Sequence, residues 1–155
     1  MRVSRNLLVA VVLLSGIALG LWASGAQVFA NDKENEAPVF VLNLTSGKDD
    51  LHAAWMGLQL AEHALNDGRK VILFLNVRAP ELATTKVAPT LAFQGKPPIQ
   101  TLLRGLTARG AKLLVCPTCL DALGIDAGAL IEGAELATRE ALFGPLGPNT
   151  VVFSY

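Results

Sequence analysis

The chain is short of the residues that most often announce a function. Its 155 residues include two cysteines, two histidines and 17% charged side chains, and the 13 basic and 13 acidic groups cancel. A balanced charge excludes a strongly basic nucleic-acid binder and an acidic solvating tail. Structural zinc wants four cysteine or histidine ligands, and the chain has two of each, so a site would need all of them together. His52 and His63 lie three helical turns apart, about 16 Å, so one site cannot use both. Both read as solvated residues on a polar helix face, and Trp55, on the opposite stripe, reads as core. The turn Thr45-Ser46-Gly47 lacks the full phosphate-loop pattern. Internal repeats and low-complexity tracts are missing. No metal and no cofactor is expected.

Charge is missing from one long stretch. Residues 7–30 carry none, and the only basic groups before them are Arg2 and Arg5. A positive start, the apolar run 7–21 (LLVAVVLLSGIALGL) and small residues ending at Ala26 and Ala30 form the pattern of a secretory signal peptide. No cysteine follows the run and no arginines are adjacent, which argues against a lipid-modified N-terminus and a twin-arginine signal. Cleavage is expected after Ala30, with Ala26 the second choice. The alternative is an uncleaved anchor, since 24 uncharged residues can span a bilayer. Either outcome carries the remaining chain out of the cytoplasm. The expectation is an exported, periplasmic protein that meets a membrane only through residues 1–30, and only if these are retained. Residues 31–37 (NDKENEA) read as a polar linker and 38–155 as one domain, long enough for a core without staples.

The rest of the chain alternates between two patterns. Residues 39–44 (VFVLNL), 71–75 (VILFL) and 113–115, extended by Ala111 and Cys116, are apolar runs of buried-strand length. Residues 134–137 and 151–153 are shorter strand candidates. Between the first two runs, Leu51, Ala54, Trp55, Leu58, Ala61 and Leu65 recur at helical spacing, with Asp49 or Asp50 to cap the start and Gly68 the end. Ile99, Leu102, Leu103 and Leu106 form a second stripe closed by Gly110. Residues 78–98, with four of the eight prolines, have no clean period and read as an ordered excursion. Alternating β and α elements with buried strands predict an open, mostly parallel sheet of about five strands covered by helices on both faces.

In such a sheet every loop that follows a strand lies on one edge, where ligands bind. That edge collects Thr45, Ser46 and Lys48 from the first loop, Asn76 and Arg78 from the second, and Cys116 and Cys119 from the third. Cys-x-x-C spacing brings two thiols within bridging reach in a helical turn. Pro117 suits the first helical position and sets the Cys116 sulfur near free N–H groups. With Lys48 or Arg78 nearby, such surroundings favour thiolate over thiol. Three chemistries remain open: disulfide exchange, persulfide transfer, and an inert bridge of the kind oxidising compartments permit. A bridge closing so small a loop adds little stability, which tilts the reading toward redox or sulfur work. A thioredoxin-like site is disfavoured, because such a motif opens a long helix near the first βαβ unit.

Five stretches resemble the DsrE/DsrF-like family in order: residues 42–50 (LNLTSGKDD), 61–75 (AEHALNDGRKVILFL), 95–104 (GKPPIQTLLR), 110–125 (GAKLLVCPTCLDALGI) and 130–136 (LIEGAEL). The resemblance implies a single three-layer α/β/α domain, self-association into a homo-oligomer, and sulfur carried as a cysteine persulfide. Cys116 matches the family's functional cysteine and Cys119 a second cysteine found in part of it. It also implies, as partner, a sulfur donor or acceptor protein or a small sulfur compound. Lys48 and Arg78 are candidate electrostatic partners of the thiols. Export departs from the cytoplasmic relay members and argues against a role in transfer-RNA modification. The alternative function is a non-catalytic oligomeric binding module with a structural Cys116–Cys119 disulfide.

Overall fold

The computed structural model describes residues 37–155; the expected signal segment 1–30 and nearly all of the linker 31–37 lie outside the described residues. Five strands, β1 (Val39–Leu44), β2 (Lys70–Leu75), β3 (Lys112–Val115), β4 (Ala134–Leu136) and β5 (Thr150–Ser154), form one sheet in the order β4-β3-β2-β1-β5. Each pairing is parallel, so the expected mostly parallel sheet is parallel throughout. The sheet and its helices make the three-layer α/β/α domain expected from the sequence.

The two layers of helix are unequal. Helix α1 (Leu51–Asn66) and helix α2 (Ile99–Ala108) cover one face. There Leu42, Leu44, Leu58, Leu73, Leu75 and Leu103 are fully enclosed. Each such side chain removed from water contributes about 1.5–3 kcal/mol before conformational entropy is charged against it. On the opposite face a smaller cluster, Val39, Val41, Ile72 and Leu114, lies under Ala141 and Leu142 of the short helix α4 (Arg139–Phe143) and under Leu146. That thin layer leaves Val152, on the edge strand β5, 58% exposed and Phe143 60% exposed.

Local capping explains where α1 begins. The Asp50 carboxylate accepts a hydrogen bond from the Ala53 N–H at 3.0 Å, satisfying one of the free donors of the first turn. Asp49, the other candidate, accepts instead from the Gly47 N–H and pairs with Arg78. Replacing Asp50 by alanine is therefore expected to cost about 1 kcal/mol. Urea unfolding reads it as a lower midpoint at unchanged slope; an unaltered midpoint would show the cap to be dispensable.

The proline-rich excursion is folded. Residues Ala79–Ala83 form a buried 3-10 helix. Gln100 of α2 reaches back to it, its amide donating to the carbonyls of Leu82 (3.3 Å) and Thr84 (2.8 Å). The Thr85 and Ile131 N–H groups tie the same stretch to residues 129–131. Further along the excursion, Phe93 stacks on His52 with ring centres 4.5 Å apart, so that exposed histidine carries an aromatic cover the helical pattern did not foresee. His63 is exposed, as its place on the polar stripe suggested.

Candidate functional site

Because all five strands run in one direction, the loops after β1, β2 and β3 meet along a single edge. The Cys116 N–H extends the ladder by donating to the Leu75 carbonyl at 2.9 Å, which fixes the cysteine at the mouth of β3. The chain then turns into helix α3 (Pro117–Ala122), with Pro117 at its first position and Cys119 one turn in. Gly124, at φ +64°, closes this helix soon after it starts.

Both cysteines are free thiols and both are half-buried. Their side chains are neighbours at the head of α3. A backbone donor from another loop reaches Cys119: the Val77 N–H lies 3.1 Å from the Cys119 Sγ. Cys116 caps no N–H of α3 with its side chain. Burial pushes the Cys119 thiol above the ordinary cysteine range, and the neighbouring Cys116 side chain adds to this, while the Val77 N–H works against it. A thiol displaced in that direction is protonated at neutral pH and reacts slowly there. Alkylation of Cys119 is therefore expected to accelerate only as pH rises beyond the range of a free cysteine, about 8.5. Iodoacetamide labelling followed by peptide mass spectrometry measures it, and full reactivity already at pH 7 would contradict it.

Lys48 and Arg78 reach the same edge, but each is held by a carboxylate. The Lys48 ammonium is 3.3 Å from Glu81, and the Arg78 guanidinium is 3.2 Å from Asp49. Glu81 is only 6% exposed, and it also accepts the Lys48 N–H at 2.8 Å. The buried carboxylate thus fastens the loop after β1 to the 3-10 helix after β2. Gly47 makes the approach feasible: a Cβ there would stand 2.3 Å from the Glu81 Oε1 and 2.9 Å from the Arg78 carbonyl oxygen. Asn43 and Asn76 share a side-chain hydrogen bond on the same edge, and Asn43 also donates to the Ser154 hydroxyl at 3.0 Å. Sequence reasoning missed Glu81, because a charged residue in a proline-rich stretch reads as exposed. It also missed the role of Val77, since nothing in residue type marks a backbone donor. Among the described residues no three metal-ligating side chains converge.

A parallel α/β/α sandwich with two adjacent thiols on the carboxyl edge of its sheet defines the chain as a small α/β protein with a dithiol site. The DsrE/DsrF-like family profile matches residues 39–144, more than half of the sequence, and the chain belongs to that family. Its fold is shared with the YchN protein from E. coli, whose crystal structure superposes at a TM-score of 0.62 with 23% identity, covering 77% of this chain and 100% of that one. Protein MTH1491 from Methanobacterium thermoautotrophicum superposes at 0.55 with 12% identity, covering 77% of this chain and all of that one. No curated protein sequence matches the chain.

Proposed function

We propose that the protein is an exported thiol or sulfur carrier in which Cys116 accepts sulfur and Cys119 resolves it. The observation that carries this reading is the adjacent Cys116–Cys119 pair on the edge of a DsrE/DsrF-like domain. The Cys116 thiolate attacks the terminal sulfur of a donor persulfide; the donor's S–S bond breaks and the donor leaves as a thiolate. An acceptor thiolate then takes that sulfur and restores Cys116. Alternatively, Cys119 as thiolate attacks the Cys116 Sγ, hydrosulfide leaves, and a disulfide joins the pair. The persulfide itself supplies the oxidising equivalent, and a dithiol reductant reopens the bridge. The partner is a sulfur donor or acceptor protein, or a small sulfur compound.

The export assignment rests on the signal-like pattern of residues 1–30, and N-terminal sequencing of the secreted protein tests it. A start at Asn31 supports cleavage; a Met1 start in a membrane fraction would establish an anchor. Self-association is part of the same proposal. It is supported by the thin helical layer over one face and by an edge strand whose Val151, Val152 and Phe153 are all exposed and uncharged. Light scattering is expected to give a dimer or trimer mass at micromolar concentration, and a monomer mass alone would reject it.

The deciding experiment is mass spectrometry of protein taken from its native compartment. A gain of about 32 Da on the Cys116 peptide marks the persulfide. Protein that only ever shows a loss of about 2 Da across the pair, and never accepts sulfur after reduction, is a binding module with a structural bridge.

A further inference from the structure

Val77 adopts φ +55°, in the left-handed region that a β-branched residue rarely enters. The residue is 57% exposed and gains no core packing in return. Strain of this kind persists where the surroundings over-determine it, and here both neighbours are tied down. The Asn76 N–H donates to the Leu44 carbonyl at 3.0 Å, and the Asn76 amide is bound to Asn43. On the other side, the Arg78 N–H donates to the Thr45 carbonyl at 3.1 Å, and its guanidinium is held by Asp49. Fixed at both ends, the chain turns the Val77 N–H outward onto the Cys119 Sγ, 3.1 Å away.

We propose that the main-chain N–H of Val77 is the positioning group for Cys119, holding its sulfur beside Cys116 and stabilising it when it carries negative charge. The left-handed backbone is the cost of that aim. The proposal rests on the reading of Cys119 as the resolving thiol and assigns the group that governs its ionisation. In the resolving step Cys119 attacks as a thiolate, and an N–H donor already in place stabilises that form without rearrangement. The titratable groups near it are few. Cys116 stands at the end of β3, and Asp121 shares α3. Arg78 and Glu81, on the segment packed against α3, are already paired with Asp49 and Lys48.

The test uses full-length Cys116→Ser protein with no sulfur donor, so it reads thiol ionisation alone. Val77 is replaced by its α-hydroxy analogue, which turns the N–H into an ester oxygen and keeps the side chain. The alkylation midpoint of Cys119 is expected to rise by about one pH unit, a roughly tenfold loss of reactivity below the midpoint. Val77→Gly keeps the donor and accepts φ +55° freely, so it is expected to leave the midpoint in place. An ester that leaves the midpoint unmoved, or a Val77→Gly shift as large as the ester's, overturns the proposal. A second reading leaves Val77 unaltered and does not depend on the ester folding. In Cys116→Ser protein the Val77 amide resonance is expected to titrate with the Cys119 midpoint, and to lose that transition when Cys119→Ser is added. An amide that ignores the titration overturns the proposal. Failure of sulfur loading in the native protein would instead overturn the functional reading and leave these results standing.

Discussion

Cys116→Ser protein is expected to take up no sulfur from a persulfide donor, while Cys119→Ser protein loads it and keeps it. The difference follows from position. Cys116 ends a buried strand at the mouth of the sheet, and its N–H is fixed to the Leu75 carbonyl. Cys119 stands one turn into α3, with its thiol pushed above the ordinary range chiefly by burial. A thiol kept protonated is a poor first nucleophile, but it is well placed to displace hydrosulfide once its neighbour carries the extra sulfur. Without Cys119 that displacement has no nucleophile, so the persulfide accumulates. Time-resolved mass spectrometry after donor addition measures both outcomes. Wild type should pass through the species about 32 Da heavier and finish about 2 Da light; Cys119→Ser should stop at the first. Stability should change little in either variant, because the bridged loop is so short. Equal loading of the two single variants would remove the asymmetry and sink the assignment of roles.

The largest loss of stability at this edge is expected from Gly47→Ala. One methyl group there meets the Glu81 carboxylate at 2.3 Å and the Arg78 carbonyl at 2.9 Å. The carboxylate can swing away only by giving up the Lys48 N–H, at 2.8 Å, while it stays buried. The carbonyl belongs to the backbone and can yield only if the chain moves. Overpacking costs about 1–3 kcal/mol, and a buried acceptor that loses its donor costs a similar amount. The expected loss is about 2–4 kcal/mol in chemical denaturation. Because the crowding runs partly through Glu81, the same substitution in a Glu81→Ala background should cost less, with a coupling on the order of 1 kcal/mol. A loss below about 0.5 kcal/mol for Gly47→Ala alone would mean that the two loops are not held as tightly as the geometry implies. Arg78 follows Val77 directly, so displacement of its carbonyl should also disturb the Val77 N–H and slow the Cys119 step.

Much of the scaffold was legible because burial on a parallel sheet writes itself into short segments. VFVLNL and VILFL are strands since both of their faces are covered, and the stripe from Leu51 to Leu65 is a helix since one face is. The same local logic placed Pro117 at the head of a short helix and both cysteines at the carboxyl edge of the sheet. Parallel pairing then does the rest, because it sends every strand-to-helix loop to one side. The partners inside that edge were not legible. Glu81 is buried by a lysine 33 residues away in sequence, and Val77 lends its N–H to a sulfur 42 residues on. Asp49 takes Arg78 because Asp50 has already taken the helix cap. These choices depend on which loops touch after the sheet has closed, and no periodicity records that. Local residue pattern was enough for the element order, the parallel sheet and the position of the dithiol. Which charges pair, which face is thinly covered and which backbone donor meets which thiol emerge on folding, because each is a contact between distant segments of the chain.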